Sequence, residues 1–168
     1  MLVLILLLAT LLDGWKQRIP NWLTLTGTLA GLLMCWQDEA TAGLLRGLGG
    51  LAVGFLLLLP LYLMRGMAAG DVKLLMTAGV YLGPEDTLLA GLLSLIIGGT
   101  VALGYFVLHG QLMDCVRRWL LMMHRFIVEH RVQYIAPENG ALAARSLPFA
   151  FAISTGCLLV VLLPGQVF

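Results

Sequence analysis

Apolar residues in this chain come in long unbroken runs rather than in strict alternation. The runs lie near residues 1–13, 22–36, 43–64, 72–83, 87–108 and 147–164, with short polar breaks between them. Apolar runs of this length, with so few charges, read as buried or membrane helices rather than strands. The runs 43–64 and 87–108 reach the ~20 residues that cross a bilayer comfortably, whereas 1–13, 22–36 and 72–83 are shorter. A helix of about 12 residues covers only about 18 Å of a ~30 Å hydrocarbon core. Short spans let the joining loops dip into the bilayer, provided neighbouring helices shield their backbone. The pattern predicts an all-α integral membrane protein with about six transmembrane helices, forming one membrane-embedded domain over residues 1–168.

Composition agrees. The chain is 60% hydrophobic and 11% charged, against about 25% charged residues in a soluble domain. A net charge of +1 says nothing in favour of a nucleic-acid partner, and none is expected. The distribution of charge is more informative. With the N-terminus outside, the inner loops hold Lys16, Arg18, Arg65, Lys73, Arg117, Arg118, Arg125, Arg131 and Arg145. The outer loops hold Arg46 and the acids Asp38, Glu39, Glu85 and Asp86. This positive-inside bias predicts a multi-pass protein with the end of the first run and the start of the fourth at the cytoplasmic face. The start of the chain lacks the basic region and cleavage site of a signal peptide, so Leu2–Leu12 reads as a retained helix.

Small residues recur at four-residue spacing in Gly27/Gly31, Gly43/Gly47, Gly50/Gly54 and Gly79/Gly83. In lipid such pairs let helix backbones approach closely. Within 110–146, Leu112, Val116, Trp119, Leu120, Met123, Phe126 and Ile127 fall on one helical face. Asp114, Arg117, Arg118, Arg125 and Glu129 fall on the other. This predicts an amphipathic helix lying in the cytoplasmic interface among anionic lipid headgroups.

Two carboxylates interrupt this pattern. Asp13 closes the first apolar run, and Asp71 opens the fourth. An ionisable group at membrane depth costs roughly 2.5–3.5 kcal/mol on insertion scales, which makes it a functional-site candidate. Both acids fall at the same predicted face. Two carboxylates about 3 Å apart cannot both stay ionised; they share a proton and can supply a base and an acid together. That chemistry hydrolyses amides, one carboxylate activating water and the other polarising the carbonyl. Gly70 leaves space beside Asp71 and permits unusual dihedrals, and Pro20 rigidifies the loop after Asp13. Lys73 lies on the opposite side of a helix from Asp71 and is expected to snorkel to headgroups.

Other chemistries lack residues. There is no HExxH, and His109, His124 and His130 do not group at metal-ligand spacing. No GxSxG stands in the chain. Cys35, Cys115 and Cys157 share no CxxC spacing and read as small apolar fillers. No metal and no cofactor is expected.

The residues around the two acids resemble a known family. Asp13-Gly14-Trp15-Lys16-Gln17-Arg18-Ile19-Pro20-Asn21 is similar to the first motif of the type IV prepilin peptidases. Ala68-Ala69-Gly70-Asp71-Val72-Lys73-Leu74 is similar to their second, the GxGD-Val-Lys-Leu motif, with Ala68 in place of its first Gly. Leu147-Pro148-Phe149-Ala150, followed by Gly156, resembles the start of the last helix. The resemblance implies a GxGD-type membrane aspartyl endopeptidase that cuts the short basic leader from prepilins. Asp13 and Asp71 map onto the catalytic pair, with Arg18, Pro20, Asn21, Gly70 and Lys73 as supporting motif residues. Its implied partners are a prepilin substrate and membrane lipids, in a bacterial inner membrane. The compact form looks most like the branch serving tight-adherence (Flp-type) pili. The paired-cysteine loop of larger two-function members is lacking, so their N-methylation is not implied. The competing readings are a small proton- or cation-coupled transporter and a pilus-assembly subunit.

Overall fold

The computed structural model describes residues 1–16, 20–64, 66–108 and 149–162. Five helical elements follow in order: α1 (Leu2–Lys16), α2 (Asn21–Leu63), α3 (Ala69–Leu82), α4 (Pro84–Leu108) and α5 (Phe149–Leu162). No strand occurs among the described residues. The amphipathic helix expected over 110–146 and the motif residues Leu147 and Pro148 lie outside them. Contacts divide the chain into two units, Met1–Gly98 with Pro148–Phe168, and Gly99–Leu147. The helices described below pack within the first.

The second and third apolar runs are joined as one 43-residue element, α2. A straight helix of that length would extend about 65 Å. The chain instead breaks at Glu39 (φ −131°, ψ 20°) and Ala40 (φ 48°, ψ −118°). No α-helix continues through a positive φ at a residue carrying Cβ. The contacts on either side run in opposite order along α3. In the first arm Asn21 meets Lys73, Thr24 meets Thr77 and Cys35 meets Val80. In the second arm Gly47 faces Val80, Gly50 faces Gly79 and Gly54 faces Leu75. The arms are therefore antiparallel, and α3 lies in the groove between them.

Glycine makes that groove. Gly27, Gly31, Gly43, Gly47, Gly50 and Gly54 are all buried, while Leu25 and Leu45 are 61% and 69% exposed. This inverts the soluble pattern, and it suits helices whose outer surface meets lipid and whose inner surface must let backbones touch. The closest approach is Gly50 on Gly79, where a Cβ on either residue would collide with the carbonyl of the other. Gly83 has a different role from its predicted partner Gly79. It caps α3 at φ 82°, a conformation open to glycine, and Pro84 then starts α4 with no N–H to lose. Two helices, Asn21–Leu63 and Pro84–Tyr105, are long and apolar enough to cross a membrane, and Leu2–Asp13 and Phe149–Leu162 are shorter apolar helices.

α5 fits between α1 and α4. Its Gly156 rests on Ala90 and Ser94 of α4, and Phe149 covers Gly98. On the other side Ala150, Ile153 and Cys157 join Leu6 and Ala9 of α1 in the core.

Candidate active site

Asp13 stands in the last turn of α1 and Asp71 in the first turn of α3. Because α1 and α3 run in opposite senses relative to the site, the end of one and the start of the other reach the same end of the bundle. Both acids are buried, at 8% and 5% exposure. Burial at this level is tolerated for a carboxylate only with partners, and no buried side-chain polar atom among the described residues lacks one.

Each acid leans on a helix start. The Ala150 N–H, in the first turn of α5, donates to Asp13 Oδ2 over a long 3.4 Å. This brings an amide from the first turn of α5 to the carboxylate, at the positive end of the helix dipole. Asp71 sits three residues into α3, after the N-cap residue Ala68, where a carboxylate is favoured by the positive end of the helix dipole. The Asp71 N–H in turn donates to the Ala68 carbonyl at 3.2 Å. Ala68 has φ −78° and ψ 149°, extended backbone that any residue adopts. The alanine in place of the motif glycine therefore introduces no strain.

The supporting residues divide. Lys73 Nζ donates to Asn21 Oδ1 at 2.9 Å. Its ammonium is thus tied to the start of α2 as well as lying exposed, and the polar residues of the two motifs meet directly. Pro20 is the N-cap residue of α2 (φ −66°, ψ 136°), its carbonyl accepting the Leu23 N–H at 3.1 Å. Gly70 is helical within α3, and Gly83 alone among the described glycines has a positive φ. Gly70 thus does not use the unusual dihedrals that glycine permits, and its small size leaves space beside Asp71. Arg18 lies outside the described residues.

Between motif and core, hydroxyls stitch α3 to the first arm of α2. Thr77 Oγ1 lies 3.0 Å from Thr28 Oγ1 and 3.2 Å from the Thr24 carbonyl, and Tyr81 Oη donates to the Gly27 carbonyl at 2.7 Å. Sequence reasoning missed a second set on α1 and α5. Thr10 Oγ1 is 2.7 Å from Ser154 Oγ, and Ser154 Oγ also reaches the Leu6 carbonyl at 3.2 Å. Thr10 is the one hydroxyl in the run Leu2–Leu12, and that isolation was the available signal.

The opposite end of the bundle is different in character. A cleft of about 620 Å³ opens there among the ends of α1, α3 and α5 and the break in α2, with Asp38, Glu39, Arg46 and Asp86 on its wall. The acids assigned to outer loops thus gather at the end away from Asp13 and Asp71.

Residues 1–103 match the type IV leader peptidase family. The matched stretch carries both aspartates, α1 to α3 and most of α4, and ends before α5. No curated protein and no solved structure matches the chain.

Proposed function

The chain belongs to the type IV leader peptidase family, and from that premise we propose that it is a multi-pass aspartyl endopeptidase of the bacterial inner membrane. Its substrate is a prepilin, of the Flp type, whose short basic leader is cut at the cytoplasmic face. The observation that carries this reading is that two buried carboxylates, Asp13 and Asp71, are brought by opposite-running helices to the same end of the bundle.

Such a pair holds one proton between them, because two like charges in a poorly solvated site cannot both persist. The ionised carboxylate takes a proton from water as the water oxygen attacks the scissile carbonyl. The protonated partner donates its proton to the carbonyl oxygen, leaving a neutral tetrahedral diol. Collapse breaks the C–N bond as the departing amine takes a proton, and a free carboxylic acid and amine result. The titration belongs to the pair rather than to either residue. The six apolar helical stretches, counting each arm of α2, serve as six spans, with exposed leucines toward lipid. The basic residues near the aspartate end hold that end on the cytoplasmic side.

Co-expression with a Flp-type prepilin, following leader loss by mass, tests the reading. Wild type removes the leader, while Asp13→Asn and Asp71→Asn, each present in the membrane at wild-type level, do not. Full cleavage by either variant overturns it.

A further inference from the structure

The geometry points to Thr10 and Ser154 as positioning residues: their hydroxyl pair sets the register of α1 against α5, and that register delivers the Ala150 N–H to Asp13. This inference rests on the peptidase reading and goes beyond it, since neither residue belongs to a motif around the aspartates.

Thr10 precedes Asp13 by three residues, and Ser154 follows Ala150 by four. On antiparallel helices rising ~1.5 Å per residue, these offsets place both cross-helix contacts on one face, one turn apart. The hydroxyls and one carbonyl form a closed set: Thr10 Oγ1 lies 2.8 Å and Ser154 Oγ 3.2 Å from the Leu6 carbonyl, and 2.7 Å from each other. Two hydroxyl protons serve three contacts, so one hydroxyl bonds the carbonyl and the other donates across. Ser154 is buried, so sliding α5 by a turn would strand its hydroxyl in an apolar seam.

Besides the Ala150 N–H on Asp13, these hydroxyls are the polar side-chain contacts between α1 and α5 among the described residues. The remaining members of this seam, Leu6, Ala9, Ala150, Ile153 and Cys157, are small or aliphatic, and in lipid apolar side chains gain little by meeting one another. Across α1 and α5 the directional bonds therefore select the register. The amide they align is the neighbour that restrains the Asp13 carboxylate from α5.

The test uses full-length protein in membranes and measures kcat and KM separately for prepilin cleavage. Thr10→Val and Ser154→Ala each lower kcat by about tenfold or more, as small misplacement of a reacting group does, with KM within about twofold. The double variant is no slower than the slower single variant, because both remove one interaction. Exchanging the hydroxyls (Thr10→Ser with Ser154→Thr) recovers most of the lost kcat. Independently of cleavage, Thr10→Cys with Ser154→Cys, with the native cysteines replaced by alanine, forms a disulfide on mild oxidation. Wild-type kcat in both single variants, or no cross-link, overturns the inference while leaving an Asp13-dependent peptidase intact. Cleavage that survives Asp13→Asn overturns the peptidase reading itself.

Discussion

The two aspartates stand on helices held by seams with different main contacts. α3, which carries Asp71, is held to the second arm of α2 by backbone-on-backbone contact, with Gly50 against Gly79 and Gly54 over the Leu75 carbonyl, besides the Thr77 and Tyr81 hydrogen bonds to the first arm. α1, which carries Asp13, is held to α5 by Thr10, Ser154 and the Ala150 amide. The glycine seam is steric and rigid, since nothing on it can give way. The hydroxyl seam is directional and can slip if its bonds are removed. In the proposed two-carboxylate site both partners have to be held in place, and packing dominates on one side and hydrogen bonding on the other.

The largest effect should fall on chemistry alone. Asp13→Asn and Asp71→Asn should each lower leader cleavage by at least about 1,000-fold, the loss common when a catalytic group is removed, while the protein stays folded. A matching loss of folded protein would show that the acids serve packing instead. Next, Gly79→Val should break the steric seam outright. Its side chain has only the Gly50 backbone and Thr87 Cγ2 to meet, and overpacking costs typically 1–3 kcal/mol even where neighbours can move. Loss of detergent-stable protein is expected, against recovery of folded but slow enzyme for Thr10→Val. Equal recovery of both would erase the contrast between the seams.

Smaller changes sharpen it. Tyr81→Phe removes the bond to the Gly27 carbonyl and should cost about 1 kcal/mol of stability, read as a lower melting temperature in detergent with KM unchanged. Lys73→Met removes the exposed tie to Asn21; exposed polar ties contribute only a few tenths of a kcal/mol, so a stability change within error is expected. Ala68→Gly should be slightly destabilising, because the extended backbone of Ala68 needs no glycine and glycine adds freedom to the unfolded chain. A rise in melting temperature would mean that the motif glycine is favoured there.

Much of this was legible beforehand. The six apolar runs match α1, the two arms of α2, α3, α4 and α5 closely, because uninterrupted hydrophobic length is a local property. The glycine pairs at four-residue spacing identified the faces that come together, with Gly83 the exception. A spacing rule cannot separate a packing glycine from a cap glycine followed by proline. The reversal at Glu39 and Ala40 was visible only as an interval between runs, since neither residue is a turn former. The bond between Lys73 and Asn21 spans 52 positions, and that between Thr10 and Ser154 spans 144. Pairings at such distances leave no periodic trace.

What the sequence determined by itself is the apolar character of the helices and the candidates for chemistry. Its long apolar runs suit lipid-facing helices, and two acids set among them stand out as candidate site residues. What only the tertiary structure decided is the meeting. Asp13 and Asp71 share one end of the bundle because α2 reverses and α3 lies between its arms, and Asp13 finds the Ala150 amide because α5 docks in one register. Hydropathy is a sum over neighbours in the chain, whereas which helix ends share one end of the bundle depends on packing between residues that the chain places far apart.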